Sequence, residues 1–451
     1  MTMRAVPALL ALTVAAGMLA TSAVPSAAAV ARCQGRVPTI VGSGAHLTGT
    51  PGDDVIVVVA GGTGVKAGAG DDRICVRARK GNGLTFITGG SGDDAVLVEV
   101  RALVYADLSV GNDSYRGGPG ADLVLSGRRG AANRDRIRLG GGRDELILGE
   151  GTHHRQAVMQ GGAGDDLLRV VRRSGALEID AASSTARVDG VSHAGWSSFE
   201  DYKISSGGRQ SFVGTPGDDT VSFDGRGPVE VLVGDGNDVV ELGDPFPAGM
   251  TVPVASDGSA GTDSDVLVDL GPGIDALKVR TSASSVVGDQ RLGRMSFSDG
   301  TGPLGSLGFA GVEDLAVSAP VDAFGETPSR VELIGTEGDN ELSASACHVV
   351  LRGAGGDDHL EVGLKPDSAA FAGTIDRGCR RSSEVYGEAG DDTMRSHVMV
   401  VDLRGVRNGE RIKLLELKAR DLLDGGEGVD SADAGAGQDT CIAETRVACE
   451  G

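Results

Sequence analysis

A nine-residue pattern recurs along this chain: a Gly-rich turn, then Asp, then any residue, then an apolar residue. Its clearest copies are GTPGDDVI (Gly49–Ile56), AGAGDDRI (Ala67–Ile74), GGSGDDAV (Gly89–Val96), GGPGADLV (Gly117–Val124), GGAGDDLL (Gly161–Leu168), GTPGDDTV (Gly214–Val221), GAGGDDHL (Gly353–Leu360) and GEAGDDTM (Gly387–Met394). Weaker copies end at Asp113, Asp144, Asp238, Asp265, Asp275, Asn340, Asp430 and Asp439. Two places after the Asp or Asn stand Ile56, Ile74, Val96, Tyr115, Val124, Leu146, Leu168, Val221, Val240, Leu267, Leu277, Leu342, Leu360, Met394, Ala432 and Cys441, all apolar, whereas the residue between is mixed. One constrained side chain beside one unconstrained is strand alternation, so each unit reads as a turn followed by a very short strand. Self-similarity at a fixed short period specifies a stacked unit, not a globule built around one thick core.

Spacing gives the coil. From Asp54 it is 18 residues to Asp72, 22 to Asp94, 19 to Asp113 and 9 to Asp122. A nine-residue unit doubled to about eighteen describes a coil of two turns and two strands, and the fold expected is an all-β parallel solenoid with degenerate coils between arrays. Turns on one edge stack directly, so Asp54, Asp72 and Asp94 should line one edge. The other edge, at Gly61–Gly64 and Gly81–Gly83, has no such carboxylate in those coils. Composition agrees: Gly is 73 of 451 residues and aromatics are 3%, so large aromatic side chains do not supply the order. The 64 acidic against 42 basic residues leave a charge of −22, which repels nucleic acid phosphates and anionic lipid and opposes compaction unless cations neutralise it.

The copies resemble the GGxGxDxUx nonapeptide of the RTX, or haemolysin-type calcium-binding, repeat family. GGAGDDLLR (Gly161–Arg169), GGSGDDAVL (Gly89–Leu97) and GGPGADLVL (Gly117–Leu125) carry that resemblance best. It implies a β-roll whose neighbouring turns clamp Ca²⁺. The chemistry of the residues points the same way, since Ca²⁺ takes six to eight hard oxygens from carboxylates and backbone carbonyls, and glycines let a turn aim its carbonyls. The ligand carboxylates expected are Asp54, Asp72, Asp94, Asp113, Asp122, Asp144, Asp166, Asp219, Asp238, Asp275, Asp358 and Asp392. An ordinary solvated turn is the plain reading of any single GDD; the register-locked set favours calcium.

The chain divides into 1–31, a first RTX-like array over 32–170, a degenerate solenoid over 171–333 with RTX-like coils near 214–277, and a C-terminal array over 334–451. Met1 to Ala31 reads as a secretory signal peptide: Arg4 is followed by a short Ala-rich apolar run and small residues at Ala27, Ala29 and Ala31. A secreted, extracellular protein follows, with no membrane insertion. Six cysteines, Cys33, Cys75, Cys347, Cys379, Cys441 and Cys449, then favour disulfides, by proximity Cys33–Cys75, Cys347–Cys379 and Cys441–Cys449, with buried thiols as the alternative. Two interrupting segments share a pattern, Trp196-Ser-Ser-Phe199-Glu200-Asp201-Tyr202 and Phe309-Ala-Gly-Val312-Glu313-Asp314-Leu315, each followed by a fresh turn at Gly214 or Gly335. The pattern suggests a duplicated block whose apolar pairs pack a metal-free coil, with an aromatic ligand platform as the alternative. Arg411–Leu423 fits helix and strand periods, and strands suit its surroundings better.

No HExxH, GxSxG or GxxxxGK[ST] occurs, and His153–His154 reads as a polar loop. The reading is a non-enzymatic calcium-binding protein. An adhesin binding cell-surface polysaccharide, and a polysaccharide-active solenoid enzyme with two acids about 5–9.5 Å apart, are the alternatives. Many members of that family leave through a C-terminal export signal and attach the repeats to a toxin or enzyme domain, whereas this chain reads as carrying an N-terminal signal peptide and no non-repeat domain of useful size, which argues against a cytolytic role.

Overall fold

The computed structural model describes residues 32–43, 46–78, 83–127, 132–150, 152–153, 157–225, 227–246, 266–299, 302–319, 329–363, 382–396, 399–402, 413–416, 420–435 and 437–449. Met1 to Ala31 and Cys379 therefore lie outside the described residues. Within them there is no α-helix, and a single 3-10 turn at Gln290–Leu292 interrupts the strands.

The chain winds as a parallel β-roll, alternating between two sheets. One sheet has seventeen strands, paired in a line from His46–Thr48 to Thr445–Val447; each of these end strands has one partner, so the sheet is open. The facing strands form a 7-stranded and a 14-stranded sheet, joined in order through the bridge Gln160↔Ser197. Every pair in the seventeen-strand ladder is parallel, and the register superimposes the apolar position of successive units. Val124, Leu146, Leu168, Tyr202, Val221, Val240, Leu277, Leu315, Leu342, Leu360, Met394 and Ala432 form one continuous file. Ile56, Ile74, Val96, Tyr115, Ile137 and Met159 form the opposing file. Together they make one long narrow core, which is why a chain so poor in aromatics can still pack.

One position departs from expectation. Leu267 is 47% exposed, while its neighbours Val266 and Val268 are buried. Val266–Asp269 lies in the facing sheet, where Leu267 pairs with the outward Glu230; the frame ending at Asp265 is one residue out of phase, and a one-residue shift reverses the face. The other fifteen positions of that set are buried.

The two degenerate segments share one construction. Leu177–Asp180, Thr185–Val188 and Val191–Gly195 form an antiparallel meander within the facing sheet, as do Ser285–Asp289, Arg294–Ser298 and Pro303–Ala310. Each meander puts three strands in the facing sheet where the opposite sheet contributes just one, Asp201–Ser205 or Asp314–Ser318. Trp196, Phe199, Tyr202 and Phe309 are all buried, with Tyr202 stacked at 6.2 Å from Trp196 and 5.2 Å from Phe212. They fill the core and form no surface platform. Phe212→Ala is expected to lower stability in calcium by about 3–5 kcal/mol, as deletion of a buried aromatic ring does, seen as a fall in Tm in the calcium-loaded protein.

Disulfides Cys33–Cys75 and Cys441–Cys449 close the two ends. The first pins the N-terminal segment over the outer face of Val55–Val58, which makes Val55 and Val57 buried as well as Ile56 and Val58. Cys347 is also disulfide-bonded. Lys413–Glu416 and Asp421–Glu427 are strands, as the surroundings of Arg411–Leu423 suggested.

Candidate metal centre

Each turn places its last Asp at the mouth of the following strand, where the alternation that buries the apolar residue two places on also turns the Asp inward. Asp72, Asp94, Asp113, Asp122, Asp144, Asp166, Asp238, Asp275, Asp358 and Asp392 are at most 2% exposed. They are held in ladders in which the backbone N–H of one coil donates to the carboxylate of the next. On the first edge Asp54 N–H donates to Asp72, Asp72 to Asp94, Asp94 to Asp113 and Asp113 to Asp135, at 2.7–3.0 Å. The opposite edge, bare beside Asp54 to Asp94, takes over at Asp122, which donates to Asp144, and Asp144 to Asp166. Further runs on that edge link Asp219, Asp238 and Asp275, and Asn340, Asp358, Asp392 and Asp430. All twelve carboxylates named from the sequence thus stand in the ladders, Asp54 and Asp219 at the heads of their runs. A short stretch of the first edge returns at the C-terminal end, where Asp421 N–H donates to Asp439.

Sequence reasoning missed three groups of residues. Asp135 and Asp421 lack the glycine turn that made the others visible; their signal was the bare Asp-x-apolar triplet. Glu200, Glu313 and Glu444 accept from Asp166, Asp275 and Asp430 N–H at 2.8–2.9 Å, so the two coils expected to stand apart, at Glu200 and Glu313, carry the last carboxylate of a run. The third group is the first acid of each GDD, which builds an outer ladder of opposite sense: Asp71 N–H donates to Asp53 Oδ1, and Asp93 N–H to Asp71 Oδ1. The recurrence of the Asp-Asp pair was its signal.

In the inner ladder Oδ1 takes the N–H, while Oδ2 of Asp72, Asp94, Asp113, Asp144, Asp166, Asp238, Asp275, Asp358 and Asp392 is buried with no hydrogen-bond partner. An orphaned carboxylate oxygen is costly unless a cation neutralises it. At Asp94, Asp166, Asp358 and Asp392 this oxygen overhangs the first glycine of its own turn, and a carbonyl of the next coil reaches the same point: a Cβ on Gly353 would collide with both Asp358 Oδ2 and Gly387 O, and one on Gly387 with Asp392 Oδ2 and Gly425 O. The space denied to a side chain is thus ringed by oxygens of two coils. Gly90, at φ +122° and packed on Gly68 O, shows the second requirement, a left-handed turn that stacks carbonyl on carbonyl. Among the described residues no three His, Cys, Asp or Glu side chains converge on one point; carboxylates arrive one per coil and carbonyls make up the rest, a donor set that suits Ca²⁺ and not Zn²⁺.

Burial, reinforced by neighbouring carboxylates, raises these acids: Asp144 and Asp238 to about 6, Asp94 and Asp358 to about 7, Asp113 and Asp122 to about 8. Asp72, Asp166, Asp275 and Asp392 move up for the same first reason. Asp54 is lowered instead, chiefly by the N–H of Thr50. Asp219 has the same arrangement with Thr215, but burial outweighs it and the group is raised.

A two-sheet parallel β-roll with stacked Gly-Asp turns and inward carboxylate files is a calcium-binding architecture. The RTX calcium-binding nonapeptide repeat, in four copies, matches residues 334–364 and 418–443, so the C-terminal region carries RTX repeats, and RTX nonapeptide repeats bind Ca²⁺. No curated protein matches the chain.

Proposed function

We propose that this is an exported, non-enzymatic protein whose β-roll folds as it takes up calcium. The observation that carries the reading is the file of buried, unpartnered Asp Oδ2 atoms. In a low-calcium cytoplasm these carboxylates repel; at extracellular concentrations the ions bridge them, and metal affinity becomes folding free energy. When bound, Ca²⁺ supplies positive charge and coordination to oxygens of adjacent coils; the glycines position the carbonyls, and the ladder N–H groups fix each carboxylate with Oδ2 free. In this reading arrays over 32–170 and 334–451 flank the meander-bearing middle, 171–333, and 1–31 serves as the signal peptide. No helix of the described residues is long and apolar enough to cross a membrane.

Equilibrium dialysis against Ca²⁺ tests it. The expected result is several ions per chain at about 10⁻⁴–10⁻³ M, the range of extracellular modules, and a mature N-terminus beginning after Ala29 or Ala31. A chain that folds and binds no calcium contradicts the reading. Polysaccharide binding through this rod is a second reading with less support, since the aromatic groups that would stack on sugar at Trp196 and Tyr202 are inside the core.

A further inference from the structure

Resting on that calcium reading, we infer that metal loading is divided into separate runs: coils opened by Gly-Thr-x-Gly are start coils whose acid holds no ion, and coils carrying Glu200, Glu313 or Glu444 end a run. Three start coils share one local structure. Thr50 N–H and Oγ1 both donate to Asp54 Oδ2, at 2.6 and 2.9 Å, and Thr215 N–H and Oγ1 both donate to Asp219 Oδ2, at 2.6 and 3.0 Å. Both lone pairs of the oxygen that is orphaned elsewhere are thereby occupied. In the third, Thr336 N–H donates to Asn340 Oδ1 at 2.7 Å, and Asn340 Nδ2 donates to Thr336 Oγ1 at 3.1 Å. A neutral amide serves in this position, as it can where no cation has to be neutralised.

The difference lies in one backbone angle. Interior coils have positive φ where the start coils have Thr, in Gly68, Gly90 and Gly162 and equally in Ser109, Ala354 and Glu388, a region that Thr50, Thr215 and Thr336 do not enter. The Thr conformation directs its N–H at the carboxylate; the positive-φ conformation releases it.

The stops follow from the opposite end of the ladder. Glu200 N–H turns back to Asp166 O and Glu313 N–H to Asp275 O, at 3.2 and 3.1 Å, so neither amide reaches the carboxylate of the next coil. That next coil is a start coil in both cases, by the registers Asp201↔Thr220 and Asp314↔Glu341. Stop and start are adjacent, and each stop is reached through one of the two inserted meanders. The second edge therefore carries three runs, each closed by a Glu: Asp122 to Glu200, which opens on Gly118 without a Thr start coil, then Asp219 to Glu313 and Asn340 to Glu444, which open on start coils. The first edge begins with its own start coil at Asp54.

Ion counting on the folded full-length chain in saturating Ca²⁺ tests this. Asp54→Asn and Asp219→Asn are expected to leave the number of bound ions unchanged, while Asp238→Asn lowers it by at least one. Thr215→Gly, which removes the hydroxyl and admits the interior backbone angle, is expected to add one ion, and it gives an answer even if Asp238→Asn does not fold. Loss of an ion in Asp219→Asn, or an unchanged count in Thr215→Gly, overturns the inference. A wild-type chain that binds no calcium would instead overturn the proposed function.

Discussion

In excess EGTA at pH 7.5 the chain is expected to lose most of its far-UV strand signal, and millimolar Ca²⁺ to restore it. Neighbouring carboxylates in a ladder are one coil apart, about 4.8 Å, and two like charges at that distance repel by roughly 3 kcal/mol at an effective dielectric of 20. A run of three or four such groups, each also stripped of water, opposes folding by an amount comparable with the whole stability of an ordinary domain, roughly 5–15 kcal/mol. Mg²⁺ should not substitute. It demands near-octahedral geometry at about 2.0–2.1 Å and gives up water reluctantly, whereas these turns offer stacked carbonyls at a spacing fixed by the sheet. Circular dichroism with each metal in turn checks both statements, and a chelated protein with unchanged strand signal and Tm would contradict them.

The second large effect is one of pH in the absence of metal. The ladder acids have folded pKa values raised above the ordinary 3.8, to about 6 for Asp144 and Asp238 and about 8 for Asp113 and Asp122. A raised group favours the folded state fully below its unfolded pKa, and that contribution is lost as pH climbs through the folded value. Chelated protein should therefore be strand-rich near pH 4 and unfold as pH rises through about 6 to 8, in a steep transition releasing more than one proton. Asp54, lowered by Thr50, has the opposite sign, favouring the fold at higher pH, and is one group against many. In calcium the trend reverses, because protons compete with the ion for the same oxygens: the loaded protein should resist neutral pH and release metal on acidification. Dichroism in EGTA at pH 4.5 and pH 7.5 decides, and equal loss of strand signal at both would contradict the prediction.

How much of this was legible depends on which interaction fixed each feature. The Asp-x-apolar triplet specified the inward file, because burial of one side chain per short strand is a local, period-two property; Ile74, Val96 and Leu168 lie where it put them. Glycines announced the edge on which coils stack, since stacked backbones leave no room for a Cβ. Asp135 and Asp421 escaped because their place in the ladder is set by the register of coils around them and needs no glycine. Glu200 and Glu313 were read as part of an apolar block, since the backbone that brings a longer acid into an Asp file comes from a meander, a non-local insertion. The role of Thr50 and Thr215 was also hidden: Thr in a Gly-rich turn resembles ordinary variation until its two hydrogen bonds to the Asp are seen.

Diffraction from crystals grown in millimolar Ca²⁺, with anomalous scattering to place the ions, tests the central claim most directly. The account predicts calcium at about 2.3–2.6 Å from Oδ2 of Asp72, Asp94, Asp144, Asp166, Asp238, Asp275, Asp358 and Asp392. Ordered coils with those oxygens bonded to water, and no ion beside them, would contradict it.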